Sequence, residues 1–260
     1  MSEGPRVVVS GANAGVVLVE LDRPPVNAVD QAMYREIAEV FDAVVEQPDV
    51  SCVVLTGRGE RAFCAGNDLH EFTTMTPANG DLRMRTARRA FAAVRGCAVP
   101  VVAAVNGPAL GTGFGLAACA DMVVAAERAT FGLPEMNVGV LGGGRFTARM
   151  LPEQAMRRLF FTARPVGAAE LRSWGAPVDV VADARLLPAA FELAEDIAVK
   201  APRAVRLGKQ ALNGCEGMEL EAGYAYEQTF TVALSAEPDA KEAVAAVLER
   251  REPRFTGAPR

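Results

Sequence analysis

The chain has 260 residues, half of them hydrophobic and 23% charged, with a net charge of −5. That size suits one large domain, or a core with a small appendage, and the acidic balance argues against a nucleic-acid partner. No apolar run approaches the ~18 residues that a membrane span needs, and the first ten residues, MSEGPRVVVS, lack the cationic and apolar segments of a secretory signal. Five cysteines, at 52, 64, 97, 119 and 215, form no C-x-x-C pair. Cys52, Cys97 and Cys119 lie in apolar runs, the usage of thiols as small core residues in a reducing cytoplasm.

Val7 to Val9 and Val16 to Leu21 read as two strands of a hairpin around residues 11 to 15. Asp22-Arg23-Pro24-Pro25 stops the second strand, and Asp30 caps a helix with Met33, Ile37, Val40, Phe41 and Val44 at helical spacing. Val50 to Leu55 is a buried strand. Residues 62–69 are a strand-like approach to a glycine turn, and residues 73–81 are polar and loosely specified. A basic amphipathic helix follows from Leu82 to Arg95. Its Arg83, Arg85, Arg88 and Arg89 read either as a wet face or as a group that meets an anionic substrate tail.

An apolar strand from Val99 to Val105 leads into Asn106-Gly107-Pro108. Gly111, Gly113 and Gly115 come next, before a small-residue helix from Leu116 to Ala120. Helix starts present unpaired N–H groups and the positive end of the dipole, so this one can stabilise negative charge on an oxygen. Met122 to Ala125 is a further buried strand. The repeated strand–helix–strand order implies right-handed crossovers and an α/β core. Beyond Leu141 the strands nearly vanish, apart from Val178 to Val181. Helices are expected near 143–150, 153–161, 167–173, 184–200, 202–213, 217–235 and 239–250. We divide the chain into a core, 1–200, and a helical region, 201–260, whose apolar faces need another copy of the chain.

Several chemistries are poorly supported. There is one histidine, His70, and no serine in a G-x-S-x-G elbow. A His/Cys metal site lacks ligands. Gly111-Thr112-Gly113-Phe114-Gly115 is G-x-G-x-G, not the dinucleotide spacing. His70 is open to two readings, a loop residue or an acid/base near neutral pH. What remains is chemistry run by carboxylates and backbone dipoles, with no cofactor.

Four blocks carry a resemblance: Leu21-Asp22-Arg23-Pro24-Pro25-Val26-Asn27-Ala28, residues 63–69 (FCAGNDL), residues 106–113 (NGPALGTG), and Phe131-Gly132-Leu133-Pro134-Glu135 followed by Gly139. In this order they resemble the crotonase, or enoyl-CoA hydratase/isomerase, superfamily over nearly the whole chain. The resemblance implies a spiral of ββα turns with C-terminal helices that form trimers or dimers of trimers, and an acyl-CoA substrate that itself carries the coenzyme A. It also implies two backbone N–H groups that hold the thioester oxygen as it becomes an enolate. By position these fall at Asn67 and Thr112. Ala65, Asn67, Asp68, Leu69, His70, Gly111 and Gly115 are expected to line the substrate channel, and Arg250 either meets a neighbouring subunit's CoA or is a solvated charge. Asp68 is expected to brace its loop and Asp121 to end a helix.

Glu135 stands at the family's catalytic glutamate position, among Phe131, Leu133, Met136, Val138 and Val140. An apolar setting raises a carboxyl pKa toward the range of an acid/base catalyst. The chain departs from typical hydratases twenty residues upstream, where their second glutamate is replaced by Gly115. One carboxylate suffices for 3,2-enoyl-CoA isomerisation. Atypical hydration, thioester hydrolysis, decarboxylation and non-catalytic CoA-ester binding stay open, and a Gly115→Glu change is expected to add hydratase activity if the pocket has room.

Overall fold

A strand that is apolar on both faces has to be covered on both. In the computed structural model, which describes residues 6–11 and 15–256, the apolar runs lie in one six-stranded sheet. Its strands are β1 (Val7–Gly11), β2 (Val16–Leu21), β3 (Cys52–Gly57), β4 (Val101–Val105), β6 (Met122–Ala126) and β9 (Val178–Val181), in the order β1-β2-β3-β4-β6-β9. β1 and β2 pair antiparallel, and all other neighbours are parallel. The register sets Val53 beside Val101 and Val102 beside Met122. Val53, Leu55, Val101, Ala103, Val105 and Val123 therefore join one apolar cluster. Cys52, Val54, Val102, Ala104 and Val124 join the other.

The first cluster takes in residues of α1 (Gln31–Ala43), α3 (Pro77–Arg95) and α4 (Thr112–Cys119). The second is closed by one helix, α8 (Leu186–Ala198), whose Leu186, Ala190, Ala194 and Ala198 repeat every four residues. Alanine on that stripe lets the helix lie close to the sheet. A smaller sheet joins β5 (Ala109–Leu110), β7 (Thr130–Gly132) and β8 (Val166–Gly167) in the order β5-β7-β8. It sets the start of α4 beside the loop that carries Glu135.

Most expected elements are present, with shifted bounds. Asp30 caps α1, its side chain accepting from the Met33 N–H at 2.8 Å. The loosely specified stretch is more ordered than its polarity suggested. α2 (Leu69–Thr73) opens it, and α3 begins already at Pro77, where Thr76 and Asn79 form a capping box. α4 starts at Thr112, earlier than Leu116, so its glycines lie inside the first turns. Residues 62–69 form no strand; they make single bridges from Cys64 to Ala109 and from Asn67 to Val29. Part of the turn expected at 11 to 15 lies outside the described residues. All five cysteines are free, and burial pushes the Cys52, Cys64 and Cys119 thiols up to about 12. Arg83, Arg85, Arg88 and Arg89 pair with Glu71, Asp81 and Asp42 on the helix surface, as a wet face does.

After α5 (Gly144–Thr147), α6 (Glu153–Thr162) and α7 (Ala168–Ser173), the chain ends in α9 (Pro202–Cys215), α10 (Leu220–Leu234) and α11 (Pro238–Glu249). α9 is fastened to the core by buried Lys209, which donates to the Asp121 carboxylate at 2.7 Å and to the Val99 carbonyl at 2.9 Å. Asp121 also accepts from the Val101 N–H at 2.7 Å, which gives it the structural place expected of it. Removing Lys209 takes the counter-charge from the Asp121 carboxylate and the donor from the Val99 carbonyl. Lys209→Met is therefore expected to lower stability by about 3 kcal/mol, read as a fall in the urea midpoint at unchanged slope. α10 and α11 are different: Leu220, Val247 and Leu248 are 87, 77 and 79% exposed. No helix among the described residues is long and apolar enough to cross a membrane.

Candidate active site

The site begins with Asn27, buried and left-handed at φ 55°. Its amide nitrogen donates to the carbonyls of Arg58, Ala62 and Phe63 at 3.1, 3.0 and 3.3 Å, which pins the turn before residue 64. The next segment is stitched on both sides. The Ala65 N–H reaches the Val26 carbonyl, and the N–H groups of Val29 and Asp68 reach the carbonyls of Gly66 and Val29. On the far side, the Leu110 N–H donates to the Cys64 carbonyl at 2.9 Å and the Cys64 N–H to the Pro108 carbonyl at 3.2 Å. α4 then starts against the same loop. A Cβ on Gly113 would sit 2.1 Å from the Cys64 carbonyl oxygen, so only glycine fits.

This arrangement leaves two backbone donors idle. The Asn67 and Thr112 N–H groups have no hydrogen-bond acceptor among the described residues. One follows Gly66, at φ 103°, and the other follows Gly111, at φ 51°, as the first residue of α4. Both neighbouring glycines hold a backbone that L side chains resist. Two N–H groups on fixed backbone, one of them at a helix start, are suited to charge that develops on an oxygen.

Glu135 sits in a tight helical turn, Pro134–Val138, which ends at left-handed Gly139. It is only 8% exposed. Its carboxylate lies over two glycines: a Cβ on Gly111 would meet Oε1 at 2.3 Å, and one on Gly142 at 3.2 Å. Oε2 is buried without a partner among the described residues. Burial therefore holds the carboxyl above its ordinary 4.5. A pocket of about 190 Å³ opens here, walled by Ala65, Gly66, Asn67, Leu69, Phe72, Gly111 and Val140, with Glu135 as its one carboxylate among the described residues. A groove that shares Ala65, Asn67 and Leu69 with it runs outward to Arg6 and Arg23.

The structure thus brings Ala65, Asn67, Leu69, Gly111 and Glu135 to one pocket, with Thr112 beside it. Asp68 faces the outer groove. It caps α2 through the His70 N–H at 3.0 Å and accepts from Arg23 at 2.6 Å, and that guanidinium holds its carboxyl below the usual range. It braces the loop, as expected. Two residues expected to line the substrate channel, His70 and Gly115, are not on the wall of this pocket. His70 is exposed on α2 and outside the pocket wall. Arg250 is exposed, a left-handed cap on α11 at φ 54°, a place open to either of its two readings, a neighbouring subunit or solvent. Gly115 is buried behind the wall: the Phe91 ring lies 2.8 Å from where its Cβ would be, so the ring occupies the side-chain space.

Two residues of the site escaped the sequence reading. Phe91 stacks on Phe146, with centroids 4.8 Å apart, and closes the space beside Gly115. Tyr34, on the buried face of α1, places its hydroxyl 2.5 Å from Asn67 Oδ1 and 2.7 Å from Thr112 Oγ1. The available signal was a tyrosine inside an apolar stripe, because a buried phenol needs a partner.

Comparison with known proteins gives the family and the fold. The family model described as enoyl-CoA hydratase/isomerase matches residues 11–258. A (7aS)-7a-methyl-1,5-dioxo-2,3,5,6,7,7a-hexahydro-1H-indene-carboxyl-CoA hydrolase of Mycobacterium tuberculosis is 42% identical over 227 residues, covering 85% of this chain and 90% of its own length. A carnitinyl-CoA dehydratase of Proteus mirabilis is 34% identical, covering 93% of this chain and 95% of its own. Among solved structures, an enoyl-CoA hydratase of Bacillus anthracis superposes with a TM-score of 0.91 at 31% identity, over 97% of this chain and 99% of that one.

Proposed function

Because the chain belongs to the enoyl-CoA hydratase/isomerase family, we propose that it acts on a CoA thioester whose carbonyl oxygen is held by the N–H groups of Asn67 and Thr112, with Glu135 alone moving the proton. The observation that carries this reading is the carboxylate itself. Glu135 is buried, short of one hydrogen-bond partner, and raised in pKa beside two idle backbone donors. A group poised in this way takes a proton as charge builds on the oxygen and returns it as the charge collapses.

The relative from M. tuberculosis favours hydrolysis of an acyl-CoA that carries ring ketones. In that reaction water adds to a carbonyl carbon, Glu135 takes the water proton, and the electron pair moves to the oxygen. With water added at the thioester carbon, collapse re-forms the C=O bond, breaks the C–S bond and expels the CoA thiolate, which Glu135 protonates. A second reading, 3,2-isomerisation, is supported by the single carboxylate: with Phe91 in the space beside Gly115, no second one lines the pocket among the described residues to share a water. We also propose that 201–260 is an assembly region and that the bare apolar faces of α10 and α11 meet further copies of the chain, as a trimer or a dimer of trimers.

The test is a panel of 2-enoyl-, 3-enoyl- and oxo-acyl-CoA esters. Hydration removes conjugated-thioester absorbance, isomerisation creates it, and thioester hydrolysis releases a titratable thiol. Turnover of any of these is the expected result. Binding of every ester with no turnover of any would replace this reading with a CoA-ester-binding protein.

A further inference from the structure

The Tyr34 hydroxyl is a junction whose hydrogens can be assigned. The Asn67 side-chain oxygen only accepts, so the phenol donates its one hydrogen to it. The remaining neighbour, the Thr112 hydroxyl, then donates to the phenol oxygen at 2.7 Å. The order runs from Thr112 through Tyr34 to Asn67 and fixes the Asn67 amide with its oxygen turned toward α1. Tyr34 is 3% exposed and the rings of Phe91 and Tyr34 lie 6.3 Å apart, so the phenol has little freedom to turn. The other end of the amide, Nδ2, has no acceptor among the described residues, and Asn67 is partly exposed on the pocket wall. An amide nitrogen held in place on a pocket wall can donate to a bound ligand in place of water.

We infer that Tyr34 positions the Asn67 side chain so that its amide N–H groups recognise a second oxygen on the acyl group, carried on the β-carbon of the thioester. The inference rests on the reading that the Asn67 backbone N–H holds the thioester oxygen. The side-chain amide springs from the same residue, so the atom it meets lies close to that carbonyl along the acyl chain. A 3-oxo or 3-hydroxy acyl-CoA presents an acceptor there, and a plain saturated ester presents only methylene. Tyr34 is a positioning residue in this scheme; the specificity contact belongs to Asn67.

The experiment compares the dissociation constants of 3-hydroxybutyryl-CoA and butyryl-CoA by calorimetry. It uses a Glu135→Gln host, which keeps the ester intact during the measurement. The host is expected to prefer the oxygenated ester by about tenfold, the scale of one satisfied donor. Asn67→Ala in that host is expected to bring the preference to about one. Tyr34→Phe keeps the ring but frees the amide, and is expected to reduce the preference to about threefold. Thr112→Val, which keeps the backbone N–H and removes the last hydroxyl, is expected to shift it the same way and serves if Tyr34→Phe fails to fold. Equal affinity of the host for the two esters, or a preference that survives both Asn67→Ala and Tyr34→Phe, overturns the inference. Either result leaves the role of Glu135 standing, because that role is tested by turnover of the wild type against the Glu135→Gln host. A host that binds neither ester overturns both.

Discussion

Glutamine at position 135 is expected to lower kcat by about 10² to 10⁴, the range of a positioned acid/base group, while affinity for CoA esters is nearly unchanged. The amide keeps the shape of the carboxyl over Gly111 and Gly142, so the pocket wall survives and only the proton carrier is lost. Steady-state rates against calorimetric affinity separate the two quantities. A variant with wild-type kcat would remove Glu135 from the mechanism.

The same carboxyl sets two opposed pH dependences. As a base it has to be ionised, so the acid limb of kcat/KM is expected to inflect above the ordinary 4.5. As a stability contribution the sign is reversed. Burial raises the folded pKa above the unfolded value, so the folded state holds the proton more tightly over the interval between them. The contribution is fully present below the unfolded pKa and is lost as pH rises through the folded pKa. Glu135→Gln lacks this loss. Its melting temperature is therefore expected to rise relative to wild type as pH is raised from about 4 to 8, which differential scanning calorimetry reads directly. A melting difference that stays constant over that range would mean that the carboxyl is not held neutral by the fold.

What the residues revealed in advance divides along physical lines. The inner strands β2, β3, β4 and β6 were legible because they are apolar on both faces, and Asp30 marked its helix because a cap is a local interaction. The start of α3 was harder: its first turn is polar, and it is held by Thr76 and Asn79 rather than by an apolar stripe. β5, β7 and β8 are two or three residues long and exist only through partners distant in sequence. Within the site, the glycine turns could be read from spacing, and Glu135 from the family resemblance together with its apolar neighbours. Tyr34 and Phe91 could not, because their roles depend on which loop α1 and α3 face. His70 shows the reverse: residue type and position suggested a place in the channel wall, but it lies exposed on α2, outside that wall.

Glutamate at position 115 is expected to break the fold rather than to add a hydratase. In sequence, Gly115 looks like a vacancy for the second carboxylate, and on that view one substitution restores it. The structure replaces the vacancy with a ring. A Cβ there meets Phe91 at 2.8 and 3.3 Å, and that ring is held by its stack on Phe146 and by burial in the apolar cluster. A glutamate has to displace an aromatic side chain and also bury a carboxyl beside it. Overpacking together with an unpaired polar group gives a loss of about 5 kcal/mol, enough to consume much of the stability of an ordinary domain. Gly115→Glu is therefore expected to accumulate as insoluble protein or to unfold at a much lower urea concentration, with no hydratase turnover. The double variant Phe91→Ala/Gly115→Glu tests the cause. If the ring is the obstacle, the pair is more stable than Gly115→Glu alone, with a favourable coupling of about 1 to 3 kcal/mol in a double-mutant cycle. If the two losses simply add, Phe91 is not what fills the site. Should the double variant also hydrate a 2-enoyl-CoA, the reaction of this chain would be set by which side chain occupies one small volume beside Glu135, a ring that closes it or a carboxylate that shares a water.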